Sequence, residues 1–197
     1  MFWGKKMKLV AITGSIGCGK TTLAGLVREL GFVVYDVDGW TRALYQKPEF
    51  VKLILQNFPE VNDNGKVNKR KLRNLVFGHN DELKRLEKLV HPFLEKRFFE
   101  TIHRNCRYDD IFFIDAALIL ELGWDRYCDL VIVADVDRET QKQRVMKRDN
   151  ISAQDFEKIL SAQMDNKEKI LRSDVVIETD KPLGVLKIEL LSVIDEL

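Results

Sequence analysis

Three glycines, a lysine and a threonine fall within Gly14-Ser15-Ile16-Gly17-Cys18-Gly19-Lys20-Thr21, spaced as G-x-x-x-x-G-K-(S/T). Each fixed position has a physical task. The glycines let the backbone turn tightly enough for successive N–H groups to converge on phosphate oxygens. Lys20 carries a mobile positive charge to β- and γ-phosphates, and the Thr21 hydroxyl can ligate the Mg²⁺ between them. That chemistry is the binding of a nucleoside triphosphate. Lys20 is expected to face solvent until nucleotide arrives.

Carboxylates and arginines that could act on such a nucleotide lie further along. Asp36-Val37-Asp38-Gly39 puts two acids at the exit of a short apolar run, the end of a strand where open parallel sheets hold their ligands. Asp38 would equally serve as the N-cap of a helix beginning at Gly39 or Trp40. Ile111-Phe112-Phe113-Ile114-Asp115 has the form of a buried strand whose final carboxylate sits beside Mg²⁺; a strand-ending turn accounts for the same aspartate. Gln141, Arg144 and Arg148 recur at i, i+3 and i+7, a stripe roughly 60° wide on a helix. Arginines so aligned suit a lid that clamps transferring phosphates. A solvated face would carry mixed signs instead, and Asp149 stands just past the stripe. The basic run Lys66, Lys69, Arg70, Lys71 and Arg73 reads first as a solvated helix face. His91-Pro92 reads as a helix break, without the cysteine or histidine spacing of a metal site.

The elements that must position these groups alternate. Residues 8–12 form a short apolar strand into the glycine loop, and 22–30 a helix out of it, with Leu23, Leu26, Val27 and Leu30 on one face. Its partly positive N-terminus lies behind the phosphates. Further strands are expected at 32–35, 111–115, 130–134 and 174–177. Continuous apolar runs separated by helices imply a parallel sheet covered on both faces. Between Trp40 and Asn105 no strand is legible: helices are expected at 41–46, 49–57 and 66–77, with a turn at 62–65. A longer helix from Asn80 is broken at His91-Pro92. An all-helical insert of that size reads as a lobe covering a substrate. Asp137 and Ser152 cap two further helices, and 182–197 is the last.

The bulk composition removes several classes. The 197 residues are 45% hydrophobic and 32% charged, with 32 basic and 31 acidic side chains and a net charge of +1. No overall field recruits nucleic acid. Residues 1–7 are too short and polar for a signal peptide and read as a frayed extension, and no run of about 18 apolar residues spans a membrane. Cys18, Cys106 and Cys128 are odd in number and read as free thiols in a reducing cytoplasm. A cytoplasmic monomer or weak homo-oligomer is expected.

With these pieces placed, the chain resembles the dephospho-coenzyme A kinases, P-loop kinases of nucleoside-monophosphate-kinase architecture, from Lys8 to about Thr179. The specific part is the ordered set Asp36-Val37-Asp38, His91-Pro92 and Gln141-x-x-Arg144-x-x-x-Arg148-Asp149, joined by Glu121, Gln163 and 173–177. Three segments depart from the family pattern. Val37 replaces an alanine, 115–121 lacks the proline and phenylalanine of Asp-x-Pro-Leu-Leu-Phe-Glu, and Thr179 replaces an asparagine.

The resemblance implies an α/β P-loop NTPase three-layer sandwich around a five-stranded parallel sheet of order 2-3-1-4-5. Residues 7–39, 106–136 and 173–197 would form the nucleotide-binding core, 40–105 an inserted all-helical coenzyme A lobe and 137–172 a helical lid. It implies transfer of the γ-phosphoryl group of MgATP to the ribose 3′-hydroxyl of dephospho-coenzyme A. Gly14, Ile16, Gly17, Cys18, Gly19, Lys20, Thr21 and Thr22 would hold the ATP phosphates, with Thr21 and Asp115 at Mg²⁺. Lys20, Arg144 and Arg148 would neutralise developing charge, and Asp38 would orient the acceptor hydroxyl. Arg70, His91 and Glu121 would bind the acceptor with it. Two other readings stay open at this point. A kinase of another small acceptor, such as a nucleoside monophosphate, would differ in acceptor preference, and a P-loop switch would hydrolyse nucleotide slowly with no acceptor dependence.

Overall fold

The strand leading into the glycine loop is the one most withdrawn from water. In the computed structural model, which describes residues 7–76, 79–105 and 111–197, β1 (Lys8–Thr13) keeps Leu9, Val10, Ala11 and Ile12 fully buried. A strand apolar on both faces needs a neighbour on each edge and a layer on each side. Parallel to β1 run Ile111–Asp115, here β5, on one edge and Leu130–Asp135, β6, on the other. Outside these lie β2 (Val33–Asp36) and β7 (Val175–Glu178), giving the order β2-β5-β1-β6-β7. Counting only the strands of this sheet, that is 2-3-1-4-5, as expected.

Parallel pairing brings all the strand ends to one edge. Asp36 stands in register with Asp115, and Asp115 with Ile12, two residues before Gly14. One face is covered by α1 (Lys20–Glu29) and the last helix, α9 (Leu183–Asp195). Leu23, Leu26 and Val27 of α1 and Leu186, Leu190 and Ile194 of α9 enclose Val10, Ile12, Phe113 and Ile132 of the sheet. Burial of each large side chain contributes about 1.5–3 kcal/mol, so this layer anchors the loop that α1 leaves. The other crossover helices are α6 (Arg138–Asp149), α7 (Ala153–Ser161) and α8 (Asn166–Leu171). Asp137 accepts from the Glu139 and Thr140 N–H groups at 3.0 Å, and Ser152 from Asp155 at 3.1 Å, the two caps the sequence signals.

The chain divides into two compact units, one reaching Asp36 and resuming at Arg104, the other spanning Val37–His103. The second holds α2 (Val37–Leu44), α3 (Pro48–Asn57), a hairpin β3 (Asn62–Asp63) and β4 (Lys66–Val67), α4 (Lys69–Val76) and most of α5 (Asn80–Asn105). Four expectations need correction here. α2 begins at Val37, so Asp38 lies inside its first turn and is not an N-cap; an acid there still complements the helix dipole. The turn at 62–65 closes a small hairpin, because Asn64 (φ 51°) and Gly65 (φ 80°) take the left-handed conformations that a tight hairpin turn requires. α4 therefore starts at Lys69 and not at 66; Phe77, its expected end, lies outside the described residues. α5 runs unbroken through Pro92. The backbone bond lost at a proline is offset by Val90, Leu94 and Phe98, buried at i, i+4 and i+8 on one face.

Cys106 and residues 1–6 also lie outside the described residues. Among the described residues no helix is long and apolar enough to cross a membrane.

Candidate active site

The loop between Thr13 and Lys20 is held from three sides. Gly19 (φ 89°) takes the N-cap position of α1 with no side-chain cap, which puts the partly positive end of the helix at the close of the glycine loop. α1 thus begins two residues earlier than the sequence suggests, placing Lys20 and Thr21 in its first turn. A Cβ at Gly17 would come within 2.5 Å of Val145 Cγ2, and one at Gly19 within 2.5 Å of Thr179 Oγ1. Only glycine lets the loop sit this close to α6 and to the end of β7.

Lys20 does not wait in solvent. Its side chain is 12% exposed and its ammonium pairs with Asp115 Oδ1, itself 6% exposed. The register of β1 and β5 sets Asp115 beside the start of the loop, and a cation at the first residue of α1 meets it there. Thr21 and Thr22 remain exposed.

The stripe on α6 splits between two tasks. Gln141 is buried, and its amide donates to the Ile16 carbonyl at 2.7 Å and to Cys18 Sγ at 3.4 Å. Arg144 donates to Thr179 Oγ1 at 3.0 Å and to the Thr179 carbonyl at 3.2 Å, with Asp180 at 3.5 Å. Thr179 Oγ1 in turn donates to the Cys18 carbonyl at 2.8 Å. These two members of the stripe brace the loop. Arg148 is 59% exposed and forks onto its neighbour Asp149 at 2.7 and 2.8 Å. Burial, with the negative charge of Asp135, pushes the Cys18 thiol up to about 12. It stays protonated near neutrality and serves as a small side chain, not a nucleophile.

Two residues that the motifs leave without a role complete the cradle. Gln163 Oε1 accepts the Ile16 N–H at 2.9 Å, and Asn166 Oδ1 accepts the Ser15 N–H at 3.1 Å. The Asn166 amide also donates to Asp135 at 2.6 Å. Gln163 belongs to the family-like set, but Asn166 carries no local signal beyond following the helix cap Asp165. Glu121 meets Lys169 at 2.8 Å and accepts the Met164 N–H at 3.1 Å.

The three departures are accommodated by these contacts. Val37 is buried, so the two carbons that valine adds over alanine are housed. Position 117 acts through its carbonyl, which accepts from Thr13 Oγ1 at 3.2 Å and from Lys169 at 2.5 Å. Thr179 supplies the hydroxyl that bridges Arg144 and Cys18.

Asp38, Arg70 and His91 belong to the second unit. Asp38 is partly exposed in α2, Arg70 is exposed on α4, and His91 is partly buried within α5. Lys69, Arg70, Lys71 and Arg73 all face water, and Lys69 also lies 5.2 Å from the centre of the Tyr45 ring.

Comparison with known proteins places this assembly in context. Residues 8–184 match the family model of dephospho-CoA kinase. The dephospho-CoA kinase of Bartonella henselae is 35% identical over 194 residues, covering 97% of this chain and 98% of that one. That of Aquifex aeolicus is 35% identical over 175 residues, covering 87% and 88%. A crystal structure of a Thermus thermophilus protein superposes with a TM-score of 0.84 at 31% identity, covering 98% of this chain and 99% of that one.

Proposed function

The chain belongs to the dephospho-CoA kinase family and phosphorylates dephospho-CoA with ATP, giving coenzyme A and ADP; on that premise we propose how its residues divide the reaction. Gly14, Ile16, Gly17, Cys18, Gly19, Thr21 and Thr22 form the backbone cradle for the ATP phosphates. Lys20 bridges the β- and γ-phosphates, and Arg144 and Arg148 neutralise charge on the transferring group. The observation that carries this reading is the pairing of the half-buried Lys20 with the buried Asp115 at the mouth of a loop braced by Gln141 and Thr179. A cation held in this way supports the reading, since it would meet the charge that a triphosphate develops without having to reorganise.

Among the described residues no three acidic, histidine or cysteine side chains stand together as a metal cage. The Thr21 hydroxyl and the Asp115 carboxylate are oxygen donors too few for an all-protein site. They fit Mg²⁺, which keeps several waters and takes its remaining ligands from substrate phosphates. When bound, Mg²⁺ would neutralise phosphate charge between those donors. Asp38 orients the acceptor hydroxyl. A carboxylate is a weak base for a sugar alcohol, but a loose phosphoryl-transfer transition state needs little proton removal early, so orientation suffices. Arg70, His91 and Glu121 are assigned to the acceptor, and the Lys66–Arg73 run to its phosphates. We place the enzyme in the cytoplasm, as a monomer or weak homo-oligomer.

The two arginines give a direct test of this division. Arg148→Ala should slow single-turnover transfer by roughly 10–10²-fold and leave the melting temperature near wild type, since an exposed neighbour pair contributes little. Arg144→Ala should both destabilise and weaken MgATP binding, because it removes the donors that hold Thr179 against Cys18. Full-rate transfer by Arg148→Ala would take Arg148 off the clamp and leave Arg144 alone in that role.

A further inference from the structure

Lys169, on α8, is 0% exposed, and the division of labour above leaves it without a task. An ammonium buried that deeply is costly unless it is paired and hydrogen-bonded. Both its partners, the Ala117 carbonyl at 2.5 Å and Glu121 Oε1 at 2.8 Å, lie on the turn that follows Asp115. Glu121 Oε1 also accepts the Met164 N–H at 3.1 Å. Met164 stands beside Gln163, and Asn166 follows two residues on; these are the side chains whose oxygens take the Ile16 and Ser15 N–H groups. Ser15 Oγ reaches the Met164 carbonyl at 3.5 Å, and Thr13 Oγ1 donates to the same Ala117 carbonyl at 3.2 Å. The contacts close a ring. It runs from the turn after Asp115, through Lys169 and Glu121, to the 163–166 segment, then to the phosphate loop and back through Thr13.

We infer that Lys169 is a positioning residue for the phosphate loop: through Glu121 and Met164 it fixes the Gln163 and Asn166 oxygens that hold Ser15 and Ile16. The inference rests on the assignment of the loop to ATP, and its tests use no acceptor because Glu121 is also assigned to the acceptor. A buried ion pair with no such role would contribute only to global stability, and the two roles separate experimentally.

Lys169→Met keeps the length of the side chain and removes its charge. In the full chain, without ligand, hydrogen exchange at the Ser15 and Ile16 amides should rise at least ~10-fold more than at the sheet amides of Val10 and Ile132, because a local opening spares the core. The dissociation constant for MgATP, measured without acceptor, should rise by about 10-fold. Gln163→Ala should do the same, and the double variant should exceed the worse single by no more than ~2–3-fold, since residues acting in series do not add. Uniform acceleration of all amides with unchanged MgATP affinity would overturn the proposal, as would losses that multiply in the double variant. If Lys169→Met does not fold, Glu121→Asp keeps a carboxylate for Lys169 but withdraws the oxygen from Met164, and the same readings decide. Absence of MgATP binding by the wild-type protein would instead mark failure of the loop assignment, before any variant is compared.

Discussion

Alanine at position 20 should lower phosphoryl transfer by at least about 10³-fold, the upper range for removing one preorganised charge-stabilising donor. It should also lower the melting temperature, by roughly 5–10 °C. The second effect comes from the structure. Lys20 is 12% exposed and packed against Asp115 at 6%, so its removal takes away the cation against which a buried carboxylate is set. Adding Asp115→Asn to the Lys20→Ala variant should therefore recover most of the lost melting temperature and none of the lost transfer. Calorimetry and a coupled ADP-release assay on the three proteins suffice. A Lys20→Ala protein that melts with the wild type would show that the pair carries no stability.

Asp38→Asn should lower single-turnover transfer by at least about 10²-fold, as expected for losing a positioned acid–base group, while MgATP affinity stays within a few-fold of wild type. The phosphate contacts are assigned to the loop and α1, and Asp38 lies in the first turn of α2. Because the helix begins at Val37, the substitution does not remove an N-cap. An acid replaced in a first turn costs only about 0.3–1 kcal/mol of dipole interaction, so stability should barely move. If Asp38 served Mg²⁺ instead, MgATP binding would weaken and activity would come to depend on added metal. Near-normal turnover would remove Asp38 from the reaction and make Asp36 the next carboxylate to replace, since it stands in register with Asp115.

The sheet was legible because its signal is local. Leu9 to Ile12, Phe112 to Ile114 and Val131 to Ala134 are continuous apolar runs, and each became a strand with both faces covered. The glycine loop was legible because its chemistry demands fixed residue types at fixed spacing. Pro92 misled, since a proline's local cost was outweighed by the burial of Val90, Leu94 and Phe98 along an unbroken α5. Val37 misled less: it hid the true start of α2, one residue after the strand ends. What no window of sequence displays is contact between distant segments. Lys20 meets Asp115 across 95 positions, Gln163 reaches Ile16 across 147 and Asn166 reaches Ser15 across 151. Spacing puts 141, 144 and 148 on one stripe of a helix, yet it could not tell that Gln141 is buried under the loop while Arg148 reaches water.

Transfer of the γ-phosphoryl group of ATP to the ribose 3′-hydroxyl of dephospho-CoA can be followed directly. The most direct measurement supplies the purified chain with MgATP and, in parallel, dephospho-CoA, nucleoside monophosphates or no acceptor, following ADP and the phosphorylated product by ³¹P NMR. One coenzyme A should form per ADP, with kcat/KM for dephospho-CoA exceeding that for every monophosphate by orders of magnitude and negligible ADP without acceptor. Equal turnover on a nucleoside monophosphate, or ADP release matched by inorganic phosphate alone, would contradict it.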